Sequence, residues 1–452
     1  MKLASLLGHA AELLQQVRSS ERPADSIIDI FFRSHKYLGS HDRRFIAEAT
    51  YGTLRHLRKC EHLLLNALGS HTEGIIPEDG FLLLLTTYLI ALDDRRTKVT
   101  VEDLKPILKS VKLKSHLAGI LEAMDPSQTL PEGDAAEPIA LKYSFPDWMI
   151  ERFIKQYGET ETEALCRSLN EQAPVTLRVN ELKSSVETCQ KALKAEGIDT
   201  LTTDLSPIGL HLTKRTNVFQ LQAFRDGLFE VQDEGSQLLP LLIDPKPTAK
   251  VLDACAGAGG KTLELAALMK NRGEVMATDV HGSRLEELRK RTRRAGVSNV
   301  RIQQVEDIGD LAGKHAAHFD LVLVDAPCSG IGTLRRNPGM KWMVTEETVK
   351  EVSEKQFHIL SSSASLVREG GMLAYATCTL FREENEEVVE RFLQSHPEFS
   401  LPASPPRSMR FDATKHFDGK YVRFFPHREG TDGFFVAVLK KQGIRSVQPT
   451  GT

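Results

Sequence analysis

Apolar positions recur at three- and four-residue spacing near the start of the chain: Leu6, Leu7, Ala10, Leu13, Leu14 and Val17, then Phe45, Ala49 and Leu54. Residues so spaced stack on one face of a helix, so the pattern predicts an all-helical domain over residues 1–125. The longest apolar run, Phe81 to Leu92, has 12 residues. A helix that crosses a bilayer needs roughly 20, so the run predicts a buried helix. The periodicity then stops. Residues 126–140 hold Pro126, Pro131 and Pro138 among few apolar positions, which predicts a linker.

A second pattern occupies residues 141–232. A helical stretch (Trp148 to Tyr157) precedes an alternating strand (Pro174 to Asn180), a helix (Ser184 to Glu196) and short strands near Leu210 and Phe229. These predict a small α+β module. Arg178 and Asn180 share one side of its first strand, because side chains alternate. Over residues 233–442 the pattern changes again. Short apolar runs at Lys250 to Ala256, Glu274 to Val280, Val300 to Val305, Phe319 to Ala326 and Met372 to Thr377 alternate with helical segments. Buried strands separated by helices predict a parallel sheet covered on both faces, a Rossmann-like α/β domain. Residues 401–416 predict a surface loop, Gly433 to Lys440 an edge strand, and residues 443–452 a tail.

Composition changes little in this picture. The formal net charge of −3 means that a polyanionic partner would have to be met by local basic patches. The six cysteines lack CxxC or CxxH spacing, which argues against structural zinc and a disulfide framework and favours a reducing cytoplasm. Glu12, Gln15, Gln16 and Arg18 interrupt the first helix, so it does not read as a signal peptide. No histidine–carboxylate cluster has metal-ligand spacing, so no metal is expected.

The candidate chemistry lies at strand ends. The first strand of the α/β domain runs into Asp253, Ala254, Cys255, Ala256, Gly257, Ala258, Gly259, Gly260, Lys261 and Thr262. Glycines at a strand-to-helix turn let a ligand approach the backbone, although many such turns need glycine for packing alone. The spacing is one residue too short for a phosphate-binding loop. Asp279 and Asp307 follow the next two strands, placed for a ribose diol and an adenine amino group, and Asp325 follows the fourth; together they favour a ligand in the crevice at the carboxyl edge. Two thiols belong to the same edge: Cys328 in "DAPCSG" and Cys378 in "YATCT". Cys60, Cys166 and Cys189 read as core residues, and Cys255 as packing behind the glycine turn.

"DAPCSG" with "ATCT", behind a glycine-rich loop and strand-end acids, resembles the Sun (RsmB-like) family of RNA 5-methylcytosine methyltransferases. "HDRRFIAEATYGTLR" (His41 to Arg55) resembles the NusB-like domain of its bacterial members, and "VQDEGSQ" (Val231 to Gln237) the segment leading into their catalytic domain. The family loop reads C-A-A-P-G-G-K, whereas Gly257 and Ala258 stand here for alanine and proline. The resemblance implies a class I methyltransferase fold and S-adenosylmethionine held by residues 255–261, Asp279, Asp307 and Asp325. It also implies an RNA substrate, 16S rRNA, for a cytoplasmic monomer. A tRNA substrate, or a non-catalytic assembly factor, are the rival readings.

Carbon 5 of cytosine is a weak nucleophile until a thiolate adds at carbon 6, so one thiol should attack and a second group should help release the product. Asp325 suits the base's N3 and amino edge, and Lys261 can approach from the loop. Spacing leaves the two thiols interchangeable. The resemblance implies that Cys378 attacks and Cys328 assists release. For RNA contact, the candidates are Arg178, Asn180, the basic helix with Arg284, Arg289, Lys290, Arg291, Arg293 and Arg294, and Arg335, Arg336 and Lys341, expected at the rim of the cleft.

Overall fold

The computed structural model describes residues 1–72, 75–93, 97–124 and 136–443. Packing divides the chain into two compact units, Met1–Glu171 with Leu334–Thr345, and Gln172–Thr333 with Glu346–Thr452.

The first unit is helical, as its periodicity predicts. Helices Leu3–Arg18, Ser40–Arg55 and Pro77–Thr87 bury Leu7, Leu14, Ile46, Ala49, Leu83 and Leu85 in one core. The apolar run at Phe81 to Leu92 lies within Pro77–Thr87 and a following π-helical turn, and among the described residues no helix is long and apolar enough to cross a membrane. Two expectations change here. The linker at 126–140 falls largely outside the described residues, but its last part is already helical, in Ala136–Tyr143. That helix and its successors, Asp147–Tyr157 and Glu159–Leu169, expected to lie at the start of the α+β module, pack with the first unit. The reason is a shared polar and apolar core. The side chain of Lys341 is fully buried, donating to the carbonyls of Arg55 and Ser144 at 3.1 Å and to Asn170 Oδ1 at 2.5 Å, with its ammonium 3.8 Å from the centre of the Phe145 ring.

The second unit holds two sheets. Strands β1 (Thr176–Val179), β2 (Thr200–Thr202), β3 (Gly209–Leu212) and β4 (Phe229–Val231) form an antiparallel sheet in the order β2-β3-β1-β4. The larger sheet contains β5 (Lys250–Asp253), β6 (Glu274–Asp279), β7 (Val300–Gln304), β8 (Phe319–Asp325), β9 (Val367–Thr377), β10 (Phe399–Ser400), β11 (Val422–Phe424) and β12 (Phe434–Lys441). Its order is β10-β12-β9-β8-β5-β6-β7, with β11 also on β12; β5 to β9 run parallel and β12 runs antiparallel to β9. The order reverses between β5 and β8, and it is outside the carboxyl ends of such neighbours that open α/β sheets bind ligands.

Polar contacts fasten the small sheet to the large one. Arg178 on β1, 4% exposed, meets Glu264, 1% exposed, at 3.0 Å and donates to the Gly260 carbonyl at 2.6 Å. Asn180 donates to the carbonyls of Gly227 and Ala295. Glu230 on β4 is buried between Arg291 and Arg294 at 3.0 and 2.7 Å.

Candidate active site

The turn after β5 is built by three hydrogen bonds and one close approach. Gly259 N–H donates to the Ala256 carbonyl at 2.8 Å, Ala256 N–H to Thr278, and Arg291 Nη1 to the Ala258 carbonyl at 2.8 Å. Gly259 has φ +87°, and a Cβ there would stand 2.0 Å from Leu288 Cδ1, so glycine is required both by backbone and by packing. By contrast, Cβ atoms at Gly257 or Gly260 would meet nothing within 4 Å, which leaves open space over the turn.

Asp279, at the end of β6, is nearly buried. One carboxylate oxygen accepts the Gly257 N–H at 2.9 Å and the other accepts the His281 N–H at 2.7 Å. Each oxygen keeps a lone pair for a ligand hydroxyl. Asp307, beyond β7, caps a short 3-10 helix through Gly309 N–H at 2.7 Å and pairs with His358 at 2.5 Å; that imidazole holds its carboxyl below the usual range. Asp253 is buried with one oxygen accepting the Thr262 hydroxyl at 2.6 Å, and burial pushes its carboxyl up to about 7.

The candidate thiols and Asp325 gather at β8 and β9, whose register pairs Asp325 with Ala376. Adjacent parallel strands end together, so the loops that follow carry Cys328 and Cys378 to a sulfur–sulfur distance of 3.3 Å. Gly332 permits this: its N–H donates to the Cys378 carbonyl at 2.9 Å, and a Cβ on it would lie 2.8 Å from that oxygen. The contact with Cys378, together with burial, raises the Cys328 thiol well above its ordinary range. Lys261 reaches Asp325 at 2.7 Å. Burial opposes its charge, but the facing carboxylate outweighs that and lifts the ammonium above its ordinary value.

Sequence reasoning thus places the glycine turn, Lys261, Asp279, Asp325 and the two thiols at one carboxyl edge, and the structure brings them together. Cys255 is half-buried behind the turn, and burial raises its thiol strongly. Several RNA-contact expectations are corrected. Arg178 and Asn180 are buried against the large sheet, where the carbonyls and Glu264 use their donors. Arg335 is buried and Lys341 fully buried in the first unit, so neither lines a cleft as a free cation; Arg336 is half-buried there. On the basic helix, Arg291 and Arg294 serve Glu230, while Arg284 and Arg293 remain exposed. Two features went unread in the sequence. Glu384, Asn385 and Gln356 form a buried polar cluster behind both thiols. His9, Glu12 and His35 bring ligand atoms within 4.8 Å in the first unit, through helix packing that no linear spacing discloses.

The model of the family described as 16S rRNA methyltransferase RsmB/F matches residues 240–440, and that of its ferredoxin-like domain matches 145–219. A Bacillus subtilis protein described as a probable ribosomal RNA small subunit methyltransferase B is 30% identical over 98% of this chain and 100% of its own. One from Synechocystis with the same description is 33% identical over 95% and 98%. The crystal structure of PH0851 superposes with a TM-score of 0.76 at 30% identity, covering 96% of this chain and 99% of that one. With relatives at this identity covered almost end to end, the chain belongs to the RsmB/F family of ribosomal RNA small subunit methyltransferases.

Proposed function

We propose that the protein is an S-adenosylmethionine-dependent RNA cytosine-5 methyltransferase acting on 16S rRNA. The observation that carries this reading is the pair of thiols 3.3 Å apart beside the Lys261–Asp325 ion pair at the carboxyl edge of the sheet. One thiol is the minimum for activating C5 by addition at C6; a second in contact with it is explained by a reaction that must also undo the addition.

The residues fit the methyl donor. The open turn at Gly257 to Gly260 accommodates an amino-acid moiety, and Asp279 offers its free lone pairs to a ribose diol. Asp307, which also accepts from Gly309 and pairs with His358, is the candidate partner of the adenine amino group. S-adenosylmethionine supplies an electrophilic methyl group; everything else falls to this chain. Asp325, fixed by Lys261, holds the N3 and amino edge of a base flipped from its stack. Cys378, as thiolate, forms the bond to C6. Cys328, kept as a thiol, donates a hydrogen bond to Cys378 while the latter is anionic. After methylation Cys328 gives up its own proton to solvent and, as the base within reach, takes the C5 proton; that C–H pair closes the C5–C6 double bond, and the C6–S pair leaves with Cys378, which returns to a thiolate while Cys328 is again a thiol. Arg284, Lys290 and Arg293 are exposed on the basic helix; Lys290 pairs with Glu287, and Arg284 and Arg293 are the first candidates for phosphate contact.

The test is to incubate the protein with labelled S-adenosylmethionine and either small-subunit rRNA or bulk tRNA, followed by nucleoside analysis and bisulfite mapping. 5-Methylcytosine at a single position of the rRNA is expected. Label confined to tRNA would replace the substrate, and RNA binding with no label in either would favour an assembly factor.

A further inference from the structure

Both thiol loops converge on one buried carboxylate. Glu384 lies six residues after Cys378 in the 3-10 turn Arg382–Glu384, with its side chain fully buried. One of its oxygens accepts the Ser329 N–H at 2.8 Å and Gln356 Nε2 at 3.0 Å; the other accepts the Ser329 hydroxyl at 2.5 Å and the Thr379 hydroxyl at 3.0 Å. Ser329 follows Cys328 and Thr379 follows Cys378, so a single group grips the residue after each thiol.

The grip extends to the residues before them. Gln356 Nε2 also donates to the Pro327 carbonyl at 2.9 Å, which clamps Cys328 from the other side. Asn385 accepts from the Thr377 hydroxyl at 2.5 Å and donates to the Thr379 carbonyl at 3.2 Å, which clamps Cys378 likewise. The Tyr375 hydroxyl, inside β9, donates to the Glu384 carbonyl at 2.5 Å and ties the turn to the sheet. A buried carboxylate is costly unless hydrogen-bonded. Here four donors from three side chains and one backbone amide meet it, and Ser329, Gln356 and Thr379, which supply them, are themselves buried. Solubility does not call for an acid in this place, and a simple apolar core would hold the loops less rigidly.

We propose that Glu384 is the positioning residue of the two-thiol site: its carboxylate sets the separation and orientation of Cys328 and Cys378, and so governs both addition to the base and release of the product. This rests on the cytosine-5 reading above. It requires nothing of Glu384 itself in bond making or proton transfer to substrate.

The experiment compares wild type with Glu384→Ala and Glu384→Gln, using thermal unfolding, S-adenosylmethionine affinity by calorimetry, and steady-state methylation of the small-subunit rRNA. For folded Glu384→Ala, cofactor affinity and RNA KM should be unchanged while kcat falls about 100-fold, the scale of loss from a displacement of about 1 Å at a reacting group. Glu384→Gln keeps the volume and one of the two accepting oxygens, and it carries the test if the alanine variant does not fold. It should lose less kcat, and its pH–rate profile should move to lower pH, because the nearby carboxylate charge is one of the causes that raise Cys328. A purely structural residue would lower stability without moving that profile. An unchanged kcat in folded Glu384→Ala, or a wild-type kcat and pH profile in Glu384→Gln, overturns the proposal. Absence of 5-methylcytosine from wild type would instead overturn the reading beneath it, so the two failures are distinguishable.

Discussion

Arg178 separates a structural from an RNA-binding account of the small sheet, and its replacement by alanine is the most informative single perturbation of the fold. The guanidinium makes an ion pair with Glu264 at 3.0 Å and hydrogen bonds to the Gly260 carbonyl and Gln232, with both charged side chains almost fully buried. Without it, Glu264 keeps the Gln232 amide at 3.2 Å, and its other oxygen already lacks a partner. Breaking a buried pair by removing one member costs about 3–5 kcal/mol, since the remaining charge is left uncompensated. At about 2–4 °C per kcal/mol for a unit of this size, Arg178→Ala should melt about 6–20 °C below wild type. Burial lifts Glu264 to about 7 even against the guanidinium, so the variant can neutralise it in acid. Below about pH 7 both folded proteins hold the Glu264 proton and the deficit should be flat; it should grow as pH rises above 7, where only wild type releases it. Arg178→Met combined with Glu264→Met removes both charges and should recover most of the loss. The assay is differential scanning calorimetry at several pH values, paired with filter binding to rRNA. Unchanged melting with an order-of-magnitude loss of RNA affinity would refute the reasoning and return Arg178 to the RNA surface.

Two further outcomes concern the cofactor turn. Gly259→Ala places a Cβ 2.0 Å from Leu288 Cδ1 on a backbone with φ +87°, and should weaken S-adenosylmethionine binding in calorimetry far more than it changes RNA affinity. Asp253 titrates at about 7 in the folded protein against 3.8 when exposed, so the folded state holds a proton that the unfolded state releases. Its stabilising contribution is full below pH 4 and is lost as pH rises through 7. Asp253→Asn should therefore match wild type in melting temperature near pH 4, gain on it between pH 4 and 7 and hold a constant lead above that; a pH-independent difference throughout would contradict this.

The sequence disclosed what is periodic or local. Strand-to-loop transitions at Asp253, Asp279 and Asp325, and the thiols that follow β8 and β9, were legible because a parallel sheet brings every carboxyl end to one edge. The helical domain was legible from its spacing of leucines and alanines. Polar residues misled where long-range pairing decides their burial. Arg178 and Asn180 look like a solvated strand face until the helix Gly260–Leu268 and the end of Gly282–Ala295 are laid against β1. Lys341 looks like a surface cation, yet three carbonyls and an asparagine from distant segments enclose it. Glu384 and Asn385 sit in an acidic run, "FREENEE", that resembles an exposed helix start; only tertiary contact with Ser329 and Thr379 shows that they face inward.

Covalent trapping separates the roles proposed for the two thiols. Wild type, Cys328→Ala and Cys378→Ala would each be incubated with rRNA and S-adenosylmethionine and run on denaturing gels. A protein–RNA adduct should accumulate in Cys328→Ala and be absent from Cys378→Ala. An adduct that persists in Cys378→Ala would make Cys328 the nucleophile and reverse the assignment.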